Sequence, residues 1–73
     1  MTDLDAQLLA AHEANDARAL IRLYQLAADS AASIDAACFY LTHAYVFALE
    51  ANHPDVEHIR ARLVAEGREP ALS

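Results

Sequence analysis

The side chains best suited to metal binding, nucleophilic attack or proton transfer in this chain are His12, His43, His53, His58 and Cys38. His12-Glu13 opens like the zinc-protease helix signature, in which a second histidine four residues on shares the first one's face and metal ion. Here that position is Asp16, at a predicted helix break, and the motif ends. A zinc site also needs three or four convergent ligands, and no cluster has that spacing. His53 and His58 stand five apart across a helix start, which leaves capping for His53 and a solvated or partner-facing surface for His58. Cys38 and His43 have the residue types of a nucleophile and its base. Five residues along one helix turn their side chains about 140° apart, however, so the pair cannot share a hydrogen bond. Cys38 therefore reads as a small core residue. His43, inside an apolar run, reads either as a core histidine donating to a backbone carbonyl or as a pH-sensitive contact at an interface. No catalytic residue, no metal site and no cofactor is expected.

What remains is the chemistry of recognition. Tyr24, Phe39, Tyr40, Tyr45 and Phe47 carry more apolar surface than two helical hairpins cover. Tyrosine is enriched at binding hot spots because it offers large area and a hydroxyl at low entropic cost. Phe39, Tyr40, His43 and Phe47 are the candidate partner-binding residues on this ground, with ordinary core packing as the competing reading. Arg18 and Arg22, four apart on one helix face, join them as groups able to grip carboxylates, against a plain solvated face.

The elements that must hold these residues follow from composition. Of 73 residues, 18 are alanine and only one is glycine, which suits closely packed helices. One domain fits the length, and so small a core supplies little surplus stability alone. All five basic residues are arginines, set against eleven acidic ones, for a net charge of -6 and a pI near 4.9. Phosphate backbones repel such a chain, so nucleic acid is not an expected partner. The uncharged stretch 36–49 is shorter than the roughly 20 residues a membrane span needs, so no membrane partner is expected either. A lone cysteine and the lack of a basic-then-apolar leader point to the cytoplasm.

Four helices are predicted. The first covers about 3–14, opened by Thr2 with Asp5 three residues on, and buries Leu4, Leu8 and Ala11. Asn15 and Asp16 break and recap the chain. The second, about 17–29, places Leu20, Leu23, Tyr24 and Ala27 on one face, widened by Ile21 and Ala28. Ser33 caps a third helix over about 34–51 with Asp35 in its first turn. That helix is apolar nearly all round, with Ala37, Leu41, Ala44 and Ala48 on one side and Cys38, Tyr45 and Leu49 on another. Pro54 at a first helical position opens the fourth, which buries Val56, Ile59 and Leu63 and ends at a left-handed Gly67. The short connections make two antiparallel helical hairpins, about 3–29 and 34–67, in one domain over 1–68, with 69–73 as a frayed tail.

The hairpins also resemble each other. Residues 8–15 align with 45–52 at an offset of 37, and Leu20 and Tyr24 align with Ile59 and Leu63 at an offset of 39, His53-Pro54 making up the difference. Stacked helix-pair solenoids use periods of this size. Tyr24, Ala27-Ala28, Ala36, Tyr40-Leu41, Ala44-Tyr45, Asp55, Ile59, Leu63 and Gly67 form a pattern from Ala19 to Gly67 that resembles the Sel-like repeats, relatives of the tetratricopeptide repeat. It departs from the family at Ser30, Thr42 and Ala48, where glycine is usual, and at His58 and Arg60. The resemblance implies an all-α superhelix of the tetratricopeptide or Sel-like type and an interaction scaffold without catalysis.

The expectation is therefore a small protein-protein interaction module, not an enzyme. A groove between the first and third helices would hold a peptide or helix of a partner protein, anchored by aromatics. The alternative is a structural homodimer in which the apolar third helix self-associates and completes the fold, because so few repeats leave open ends.

Overall fold

The computed structural model describes residues 3–68, which form four α-helices: α1 Asp3–Glu13, α2 Ala17–Asp29, α3 Ile34–Glu50 and α4 Val56–Ala65. No strand occurs among the described residues. The expected Thr2 cap and the tail 69–73 lie outside them.

Three of the four helices stop in the same way. At the end of α1, Asn15 takes the left-handed conformation (φ 53°), its N–H donates to the His12 carbonyl (3.2 Å) and the next N–H, of Asp16, to that of Ala11 (2.9 Å). At the end of α3, Asn52 (φ 52°) donates to Leu49 (3.2 Å) and His53 to Ala48 (2.8 Å). Past α4, Gly67 (φ 72°) donates to Val64 (2.9 Å) and Arg68 to Leu63 (2.8 Å). This paired pattern is the Schellman ending, which satisfies carbonyls the helix leaves open and needs a residue that tolerates positive φ. Glycine and asparagine are the residues that do so at least cost. Asn15 and Asn52 are the pair matched by the offset of 37, so the two stretches end in one backbone geometry.

The N-termini fit simple chemistry at two sites. The Asp16 side chain accepts from the Ala19 N–H (3.1 Å) and the Ser33 Oγ from the Ala36 N–H (3.1 Å), each filling one of the open donors of its helix. The fourth helix begins later than the proline rule predicts. Pro54 and Asp55 form a turn, Val56 N–H bonds the His53 carbonyl (3.2 Å), and the first helical bond runs from Ile59 to Asp55 (2.9 Å). The Asp55 side chain makes no capping bond; it accepts instead from Gln25 Nε2 of α2 at 3.1 Å. A tertiary contact has taken the carboxylate that a local cap would use.

Each helix packs chiefly on its neighbours in sequence, and the α2–α3 contact is the most extensive. Ala44 and Ala48 have no exposed surface, so α3 lies closely against the rest of the core. The larger core cluster joins Ile21 and Ala28 of α2, Cys38, Leu41, Ala44, Tyr45 and Ala48 of α3, and Ile59 and Leu63 of α4. A smaller cluster joins Ala11 of α1 to Leu20 and Leu23 of α2. Leu49, expected beside Cys38 and Tyr45, is instead 46% exposed, one step further round the helix than the arc α4 covers. Arg62 of α4 meets Asp29 at the end of α2 at 2.6 Å, and Arg68 meets Asp35 at the start of α3, so the last part of the second hairpin is tied to both by surface ion pairs of small individual value. Asp35 holds the Arg68 guanidinium above its usual pKa, through the hydrogen bond first and the charge second.

The left-handed endings generate a stability prediction. Asn15→Val and Asn52→Val each lose about 1–2 kcal/mol in urea denaturation followed by circular dichroism, because a β-branched residue is strained at positive φ. Asn52→Gly keeps the stability of the parent chain within a few tenths of a kcal/mol.

Candidate partner-binding surfaces

Four of the six candidates lie on α3, and the structure gathers them around a side chain of α2. Tyr24 stacks on His43 (ring centroids 5.1 Å) and on Phe47 (6.0 Å) and lies 6.3 Å from Tyr40. Phe39 continues the row through His43 at 4.5 Å and Tyr40 at 5.7 Å. At the other end His12 of α1 stands edge-on to both Tyr24 and Phe47, 5.9 Å from each. Spacing explains the assembly: Phe39, His43 and Phe47 follow one another at four residues on α3, while Leu4, Leu8 and His12 do the same on α1.

Burial divides this row. Phe47 and Tyr24 are half-buried and pack against both core clusters, and Tyr40 packs against the larger one. Phe39 is 59% exposed. From the sequence His12 enters only as the start of a zinc motif that fails; its place on the Leu4–Leu8 stripe is the signal that sets it in this row. Its Nε2 is 2.9 Å from the Tyr24 hydroxyl. Burial first, and the neighbouring Tyr40 second, push the Tyr24 phenol above its usual pKa of 10.0, so the hydroxyl keeps its proton at neutral pH. His43 Nδ1 donates to the Phe39 carbonyl at 2.9 Å, the backbone partner its apolar surroundings call for.

Beside the aromatic row lies a groove of about 330 Å³ between α1 and α3. Leu4 and Leu8 form one wall, Ala36 and Tyr40 the other, and Ala27 and Ala31 line it between them. Arg18 and Arg22 are not part of this face. They border a separate cleft of about 610 Å³ between α2 and the α3–α4 turn, with Gln25, Asp29, His53 and Asp55. Three acidic groups in that cleft have internal work: Asp16 caps α2, Asp29 holds Arg62 and Asp55 accepts from Gln25. His53 Nδ1 accepts the Asp55 N–H at 3.1 Å, so this histidine caps the turn.

The residues of possible catalysis do not converge. Cys38 is a buried free thiol. No hydrogen bond joins it to His43 among the described residues, although both border a dent of about 420 Å³. Among the described residues no three His, Cys, Asp or Glu side chains gather as metal ligands, and no helix is long and apolar enough to cross a membrane. Comparison with protein-family models, with curated proteins and with solved structures finds no match to this chain.

The division of the aromatic row has a measurable consequence. Phe47→Ser lowers unfolding free energy by about 2–4 kcal/mol, as expected for removing a large ring packed on two clusters. Phe39→Ser changes it by less than about 0.5 kcal/mol, as for an exposed site. Denaturant melts of the two variants give both values.

Proposed function

We propose that this chain is a small helical-repeat module that binds another protein, by holding a helix or extended peptide in the groove between α1 and α3. The observation that carries the reading is the groove itself: apolar walls from two different helices, left half-exposed, with an aromatic row along one side. Apolar grooves of this kind take an amphipathic helix through anchors at helical spacing. Tyr40, whose ring borders the groove, offers both area and a hydroxyl, while Tyr24 and Phe47 hold the wall rigid from behind. The Sel-like repeat resemblance favours the same role, as do the matched helix endings at Asn15 and Asn52. On this reading the protein works by recognition, without catalysis or cofactor, and in the cytoplasm, where Cys38 remains a thiol.

A displayed library of amphipathic helical peptides tests this. Peptides selected on the parent chain are expected to carry apolar anchors three and four residues apart. They should bind Ala36→Arg, which places a long charged side chain in the groove, about tenfold or more weakly. Arg18→Ala, on the other face, should bind them as the parent does. Selected peptides that bind the Ala36→Arg protein unchanged contradict the groove assignment.

A further inference from the structure

The outward face of α3 carries a second apolar feature that neither the core nor the groove uses. Phe39, Thr42, Val46 and Leu49 follow at spacings of three, four and three, the seam pattern of paired helices. All four are exposed, Phe39 by 59%, Val46 by 47% and Leu49 by 46%, while the opposite face of the helix, Leu41, Ala44 and Ala48, is buried. No formal charge interrupts the helix between Asp35 and Glu50. Single exposed apolar residues are ordinary; a continuous seam on one helix face is not.

The two ends of the seam differ, and they are complementary. At the Phe39 end lies the dent bordered by Cys38, Phe39, Thr42 and His43, with Arg68 on its rim beside Asp35. At the other end Leu49 stands proud, followed by Glu50, which meets no cation among the described residues. If two copies lie antiparallel about a twofold axis between Thr42 and Val46, Leu49 of each falls opposite Phe39 of the other, at the dent. Glu50 of each then falls opposite Cys38, next to Arg68 and His43. A guanidinium has five N–H donors, so Arg68 can hold Asp35 and a second carboxylate together. The twofold axis makes each contact twice, which is the property of a self-complementary interface. A parallel pairing would instead set Glu50 against Glu50.

We infer that α3 is a homodimer seam: two copies of this chain pair antiparallel through Phe39, Thr42, Val46 and Leu49, with Leu49 in the partner's dent and Glu50 on the partner's Arg68. This goes beyond the groove reading and does not depend on it, because the seam lies on a different arc of α3. One helix face falls short of the roughly 800 Å² per partner of a stable complex, so the dimer is a weak one, with Kd between about 10 µM and 1 mM.

Sedimentation equilibrium of the full chain from micromolar to millimolar concentration tests the inference. The parent is expected to pass from monomer to dimer over that range. Val46→Glu, at an exposed position, should stay monomeric with an unchanged circular dichroism spectrum. Glu50→Arg and Arg68→Glu should each dimerise about tenfold more weakly, since each sets like charges together at both junctions. Mixed in equal amounts, these two proteins should regain the parent affinity, because the mixed dimer restores an opposite-charge pair at both ends. A parent that remains monomeric to millimolar concentration overturns the proposal and leaves the seam to a foreign helix. A dimer that survives Val46→Glu, or charge variants that do not recover on mixing, overturns it as well.

Discussion

The stack of Tyr24 on Phe47 is the contact on which the rest of the architecture depends. The interior divides into a larger cluster across α2, α3 and α4 and a smaller one between α1 and α2. Tyr24 and Phe47 are the two residues packed against both. They bring α3 to α1 through His12, and the Tyr24 ring also lies against Tyr40 and His43. Without them α1 would rest on α2 alone, through Leu4, Leu8 and Ala11. The groove between α1 and α3 exists only because this junction sets the spacing of its two walls.

Most of the architecture was legible along the chain because it is decided locally. Asn15, Asn52 and Gly67 are residues that accept a left-handed turn, and Asp16 and Ser33 are short polar groups that satisfy open N–H donors, so the helix limits follow from neighbours within a few positions. The bounds of α2 agree with the apolar periodicity of Leu20, Leu23 and Ala27. The start of α4 differs from the proline rule, which sets Pro54 in the first turn: Pro54 and Asp55 form a turn, the helix begins at Val56, and the Asp55 side chain accepts from Gln25, thirty residues earlier, instead of capping it. Long-range contacts of that kind leave no periodic trace.

The candidate surfaces were legible only in part. The sequence shows that the aromatics exceed what a small core hides, but not how they divide, since Phe39 and Phe47 occupy equivalent positions two turns apart on α3. Their difference lies in what each meets: Phe47 meets His12 of α1 and the Ala11, Leu20 and Leu23 cluster, while the ring neighbours of Phe39 are Tyr40 and His43 of its own helix. The same spacing logic, applied to residues that end up outside, yields the Phe39–Thr42–Val46–Leu49 seam, which alternates three and four like a core stripe and is told from one only by its exposure. Arg18 and Arg22 follow the helical spacing but face the opposite way from Tyr24, so charge and aromatics belong to separate surfaces.

If the Tyr24–Phe47 stack joins the two hairpins into one cooperative unit, the two rings must be energetically coupled. The direct measurement is a double-mutant cycle in denaturant unfolding with Tyr24→Ala, Phe47→Ala and the combined variant. The predicted result is a coupling of about 1 kcal/mol or more, the double variant losing less than the sum of the single losses. Losses that add within about 0.3 kcal/mol would mean that each ring stabilises its own cluster independently, and would contradict the account.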